Sequence, residues 1–169
     1  MVTIPCRNLK LNYQYTKLYN VLNFNLVTIM YLTIYTLIYG YVTLGNFSEL
    51  INMDLSHNSL SGVLPSSIYL LSNLQQWRLG SNNIYSTISE AISHLSNLQY
   101  INLRNNHLYG TIPSSICSLS ALTELILSYN NIEGNIPDTI QLLHNLTTLD
   151  LSVNMIDGTL PNSIGDVLP

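Results

Sequence analysis

A chain of 169 residues that is 47% hydrophobic and 8% charged fits one domain by length and is too apolar to stay disordered. Formal net charge is −4, and from Glu49 onward only Arg78 and Arg104 stand against nine acids, a balance unsuited to a phosphate backbone, so no nucleic acid partner is expected. Two cysteines, Cys6 and Cys117, make no disulfide framework, and the four histidines join no cysteine cluster, so neither a metal nor a cofactor is expected.

Residues 1–44 read as a basic and then apolar segment, with Arg7, Lys10 and Lys17 as its charges and none from Leu18 to Ser48. Within it, residues 26–44 are long enough to cross a bilayer as a helix, which takes about 20 apolar residues. The positive flank would stay cytoplasmic and send residues 45–169 to the far side, so this is a candidate signal-anchor or transmembrane segment. Its Thr, Tyr and Ile content suits a strand or a decayed repeat as well, and no small-x-small cleavage site precedes the array. Residues 45–49 read as the remnant of a preceding repeat.

At Leu50 a regular array begins. Leu50, Leu74, Leu98, Leu122 and Leu146 are 24 residues apart, and they open five units: 50–73, 74–97, 98–121, 122–145 and 146–169. A fixed period of that length with L-x-x-L-x-L-x-x-N predicts a solenoid in which each turn stacks on the last. Met53, Trp77, Ile101, Leu125 and Leu149 share one column, and Leu55, Leu79, Leu103, Leu127 and Leu151 the next. Their spacing of two places both on one face of a short strand, pointing inward. Further columns run through Leu60, Ile84, Leu108, Ile132 and Ile156, then Leu64, Ile88, Ile112, Ile136 and Leu160. Ile68, Ile92, Ile116, Ile140 and Ile164 come next, and Leu71, Leu95, Leu119, Leu143 and Val167 close the turn. One unit cannot cover its own flat sides, so at least about three are needed. The column Asn58, Asn82, Asn106, Asn130 and Asn154 reads as a structural ladder that satisfies backbone groups at the bend after each strand.

The segments LSHNSLSGVLP at 55–65, LRNNHLYGTIP at 103–113, LSYNNIEGNIP at 127–137 and LSVNMIDGTLP at 151–161 closely resemble the plant-type leucine-rich repeat. The resemblance implies an α/β-type repeat solenoid, a right-handed superhelix of five 24-residue repeats with a parallel sheet on its concave face. The family's L-x-G-x-I-P segment implies a second short strand per repeat. The second repeat departs from the pattern, with Ser86 where the others have Gly62, Gly110, Gly134 and Gly158, and Ser89 where they have proline, so its local geometry should differ. No cysteine-paired cap of the family's kind precedes Leu50, and the fifth repeat ends with the sequence, which predicts a truncated product or partial gene model.

Outward strand positions of successive repeats should form a concave grid. Its columns are Asn52, Gln76, Tyr100, Glu124, Thr148; Asp54, Arg78, Asn102, Ile126, Asp150; Ser56, Gly80, Arg104, Ser128, Ser152; and His57, Ser81, Asn105, Tyr129, Val153. The candidate ligand-binding residues are Tyr100, Arg104, Arg78, Glu124, Ile126 and Tyr129. Neighbouring strands lie about 4.8 Å apart, so Arg78 is expected to pair with Asp54. Arg104 has Gly80 and Ser128 beside it, neither of which neutralises it, and is the expected clamp for a carboxylate or sulfate. Glu90, Glu133, Asp138 and Asp157 fall off the columns and read as solvated. Asn46 and Asn145 head N-x-S/T triplets and are glycosylation candidates if the array lies outside the cell.

No phosphate loop, Ser/His/Asp order or distinctive carboxylate pair argues for an enzyme. The resemblance implies a non-catalytic recognition module, the ectodomain of a receptor-like protein or receptor-like kinase, at the plasma membrane or secreted to the cell wall. Its partner would be a protein or peptide ligand, a glycan or a co-receptor kinase. The alternatives it implies are a secreted inhibitor of a cell-wall hydrolase and a truncated receptor-like kinase product lacking its kinase domain.

Overall fold

A computed structural model of the protein describes residues 50–162, Ser59 apart, together with Gly165. The candidate membrane segment at 26–44, the remnant at 45–49, Asn46, Ile164 and Val167 lie outside the described residues. Among the described residues no helix is long and apolar enough to cross a membrane.

Ten short strands succeed one another: β1 (Asn52–Asp54), β2 (Ser61–Gly62), β3 (Gln76–Arg78), β4 (Asn83–Ile84), β5 (Tyr100–Asn102), β6 (Tyr109–Gly110), β7 (Glu124–Ile126), β8 (Asn131–Gly134), β9 (Thr148–Asp150) and β10 (Met155–Ile156). The odd-numbered strands form one parallel sheet in the order β1-β3-β5-β7-β9. Its register puts Met53, Trp77, Ile101, Leu125 and Leu149 side by side, the 24-residue period of the sequence. The even strands build the second sheet, and there the register slips. Ser61 faces Asn83, Tyr109 faces Asn131 and Glu133 faces Met155, each pair 22 residues apart. Sequence columns therefore do not coincide with neighbours on that flank.

The helical part of each of the first four repeats is a five-residue 3₁₀ turn, at Ser66–Leu70, Glu90–His94, Ser114–Ser118 and Asp138–Leu142. The α/β-type expectation is refined accordingly. Pro65 and Pro113 hold the preceding backbone extended, and the N–H groups of Leu71, Leu95, Leu119 and Leu143 close each turn on the carbonyl of the buried isoleucine three residues back. Those leucines are fully buried, as are Leu74, Leu98, Leu122, Trp77, Ile101 and Ile116. The column rule weakens at the last repeat, where Leu149, Leu151 and Ile156 are only partly covered and Leu160 is 67% exposed.

The asparagine ladder has a definite geometry. Asn82 Nδ2 donates to Leu79 O of its own repeat and Leu55 O of the previous one, both at 2.9 Å, while its Oδ1 accepts the N–H of Leu60 at 3.0 Å. Asn106, Asn130 and Asn154 repeat this set. Among the described residues, Asn58 donates within its own bend, to Leu55 O and Ser56 O. Just before each ladder residue the chain turns through a left-handed residue, His57, Ser81, Asn105, Tyr129 or Val153, with φ between 53° and 57°. The fourth column of the grid thus lies on the bend beyond the three-residue strands. Left-handed backbone costs an L-residue about 1–2 kcal/mol, least for Asn and most for a β-branched Val.

The second repeat differs at one of its two departures. Ser86 does not take the positive φ of Gly62, Gly110 and Gly134. Instead it is buried, and its hydroxyl accepts the N–H of Leu64 at 3.0 Å and donates to Thr87 O. The second sheet is interrupted there into β2-β4 and β6-β8-β10. At Ser89 the backbone stays extended, as at the prolines. Ser89 has an N–H that proline lacks, and the hydroxyl of buried Tyr69 accepts it at 3.0 Å. Tyr69 in turn packs edge-on against Trp77, ring centroids 6.3 Å apart.

Candidate functional site

The concave sheet brings Arg78, Tyr100, Arg104, Glu124, Ile126 and Tyr129 onto one surface, since β3, β5 and β7 are adjacent and in register. Tyr100 faces Gln76 on one side and Glu124 on the other; Asn102 faces Arg78 and Ile126. Ile126 is half-buried, Arg104 exposed and Tyr129 45% exposed.

Arg78 does not pair with Asp54 although the two are directly opposite in register. Its guanidinium lies 4.2 Å from the centre of the Tyr100 ring, and Nη1 donates to Gln76 Oε1. Asp54 is engaged locally, accepting the Ser56 N–H at 3.1 Å. A surface ion pair is worth little, whereas a guanidinium over a tyrosine ring gains cation–π attraction and loses little hydration. Arg104 repeats the arrangement, 4.8 Å from the centre of the Tyr129 ring. It is also less isolated than its own column suggests, because its charge reaches Asp150 two strands away. Asp150 is held below the usual carboxylate range chiefly by the hydrogen bond from the Ser152 hydroxyl and, more weakly, by Arg104.

Two residues outside the candidate set link the pairs. Asn102 Nδ2 donates to the Tyr100 hydroxyl at 3.3 Å, and Asn102 Oδ1 accepts the N–H of Arg104 at 3.1 Å. Gly80 makes room for that amide: a Cβ there would sit 3.1 Å from Asn102 Oδ1. A glycine in a column otherwise filled by Ser56, Arg104, Ser128 and Ser152 was the signal in the sequence for this close approach. The result is a continuous strip, Arg78, Tyr100, Asn102, Arg104, Tyr129, whose two cations each lie over a tyrosine ring.

Elsewhere, Glu90 is not a merely solvated acid. Its Oε2 accepts the Ser115 N–H at 3.0 Å, one repeat away, at the start of a 3₁₀ turn. Hydrogen bonding to Ser115 holds the carboxyl below its usual range. Asn145 is exposed, but its Nδ2 donates to Ser120 O at 2.8 Å. Cys117 is a buried free thiol whose pKa is raised by burial. Among the described residues no group of three potential metal ligands occurs.

A parallel-sheet solenoid with an asparagine ladder and a concave strip of aromatic and cationic residues is the architecture of a recognition scaffold. A leucine-rich repeat family model matches residues 48–108, 77–132 and 97–156, and the chain belongs to that family, in its plant-type form. No curated protein matches it by sequence search. Among solved structures, it is similar to the plant peptide hormone receptor RGFR1 in complex with RGF2, at 36% identity over 73% of this chain and 20% of that one, TM-score 0.72. The Arabidopsis receptor kinase HAESA, in complex with the peptide hormone IDA and the co-receptor SERK1, is 29% identical over 73% of this chain and 21% of its own, TM-score 0.68. The BIR2 ectodomain from Arabidopsis thaliana is 29% identical over 70% of this chain and 66% of its own, TM-score 0.66. The chain thus spans about a fifth of the two peptide-bound receptors.

Proposed function

We propose that this chain is a non-catalytic recognition segment of a leucine-rich-repeat receptor ectodomain, taking a peptide that presents a carboxylate to the strip from Arg78 to Tyr129. The observation that carries it is the pair of guanidinium groups lying over the Tyr100 and Tyr129 rings, tied together through Asn102. A guanidinium held over a ring is positioned before the ligand arrives, which reduces the ordering cost of binding. Similarity to receptors solved with peptide hormones and with a co-receptor supports a peptide as ligand and a second receptor as partner. The same similarity supports placement outside the plasma membrane, where Asn145 would be a glycan acceptor; a linked sugar replaces one amide hydrogen and leaves the other for Ser120 O.

The test is binding of an acidic peptide library to the protein, each peptide as free acid and with every carboxyl, side-chain and C-terminal, replaced by its amide. Selected free acids should bind at least about tenfold tighter than their amides, and Arg104→Ala should remove that preference. Equal binding of acid and amide, or an Arg104→Ala protein that still discriminates, overturns the assignment.

A further inference from the structure

The flank of the solenoid carries a second exposed aromatic feature that the concave strip does not use. Tyr85, just beyond β4, and Tyr109, on β6, stack with ring centroids 4.5 Å apart and planes 26° from parallel. Because the second sheet is in register at 22 rather than 24 residues, this contact is diagonal, and it bridges the interruption between β4 and β6. Tyr85 nevertheless remains 59% exposed against 38% for Tyr109, so one ring covers the other while most of Tyr85 faces solvent.

The residues around the pair are Asn83 and His107, two positions before each tyrosine, Asn131 directly opposite Tyr109, and Glu133 two beyond it; all are exposed. Among the described residues, no protein group takes up the side-chain donors and acceptors of these four. Asn97, Asn102, Asn105 and Asn145, by contrast, all donate to a neighbour. The patch therefore offers flat apolar rings framed by planar amide, imidazole and carboxylate groups with free hydrogen-bonding capacity. No arginine or lysine lies in it, so a polyanion finds no counter-charge. A proline-rich peptide would match the rings, but its carbonyls need donors alone and would leave the Glu133 carboxylate unmatched.

We propose that the Tyr85–Tyr109 face binds a neutral oligosaccharide with flat C–H surfaces, one sugar ring resting on Tyr85 and its hydroxyls bonded by Asn83, His107, Asn131 and Glu133. Axial C–H groups of an all-equatorial sugar meet the electron-rich ring face, and equatorial hydroxyls meet the polar frame. This surface is separate from the concave strip and stands or falls independently of the peptide reading.

Cellohexaose, a flat neutral β-linked glucan, is the probe, with maltohexaose as the coiled control. Saturation of the protein's aromatic protons should transfer to the ring protons of cellohexaose and much less to those of maltohexaose. Tyr85→Ala should weaken cellohexaose binding about fivefold or more, Tyr85→Trp should retain it, and Arg104→Ala should leave it unchanged. Tyr85 contributes little to the core, so the alanine protein should keep the wild-type circular dichroism spectrum, which is checked first; if it does not, Asn131→Ala gives the same reading from an exposed polar position. Absence of transfer up to the solubility limit overturns the proposal. So does equal binding by Tyr85→Ala or Asn131→Ala, or transfer to a polyproline peptide in place of the glucan.

Discussion

The third and fifth repeats carry the same pattern and meet different fates. Leu98, Ile101, Leu103, Leu108, Ile112, Ile116 and Leu119 are all buried. Of their described counterparts, Leu149, Leu151 and Ile156 are partly covered, Leu160 is exposed, and Leu146 alone matches its equivalent. An apolar column position is thus a candidate for burial, and a neighbouring turn on each side converts it into core. In a solenoid the stabilising unit is the interface between repeats.

The sharpest way to break this comparison is a pair of truncations. Leu103→Ala should cost about 3 kcal/mol and Leu151→Ala less than half of that, because only the first leaves a closed cavity; urea unfolding of both proteins measures the difference. Equal losses would show that burial in the stack does not set the energetics. The ladder gives a second contrast. Asn106→Ala strands the buried Ile84 N–H and takes one of two donors from the Leu79 and Leu103 carbonyls, which keep Asn82 and Asn130. It should cost about 2–3 kcal/mol, against about 1 kcal/mol for Asn154→Ala, whose partners are only part-buried.

Substitution at the left-handed bend should run the other way. Val153 is a β-branched residue at φ 53°, whereas the third repeat has Asn105 there. Val153→Asn should stabilise by about 1 kcal/mol, seen as a higher Tm, while Asn105→Val should destabilise by a similar amount. The smallest effect concerns pH. The Glu90 carboxyl is held below its usual range by Ser115, so its contribution is present above the ordinary carboxylate pKa and is lost as pH falls through the lowered folded value. Glu90→Gln should flatten the stability profile slightly in that acidic window and leave it unchanged near neutrality. Because Glu90 is exposed, solvent screening keeps this well under 1 kcal/mol.

Much of the architecture was legible before any coordinates. Leu50, Leu74, Leu98, Leu122 and Leu146 set the period, and the alternation of Ile101 and Leu103 with Tyr100 and Asn102 assigned the two faces of a strand. The constancy of Asn82, Asn106 and Asn130 marked a ladder. All of this comes from backbone periodicity alone, since residues one period apart on a regular stack must lie side by side. The candidate strip was legible as membership of a face. Its internal pairing was not.

Partner choice lies beyond periodicity because long side chains reach diagonally, and which diagonal they take depends on strand offset and on space left by small neighbours. Arg78 turns from Asp54 to Tyr100, Asn102 joins the two arginine–tyrosine pairs because Gly80 has no side chain, and Glu90 reaches across to Ser115. Tyr85 meets Tyr109 across a sheet whose register is two residues short of the repeat. The sequence by itself determined the repeat, the core columns and the faces. The tertiary structure decided the contacts between repeats, because those depend on how one turn is offset against the next, a quantity that no single 24-residue unit contains.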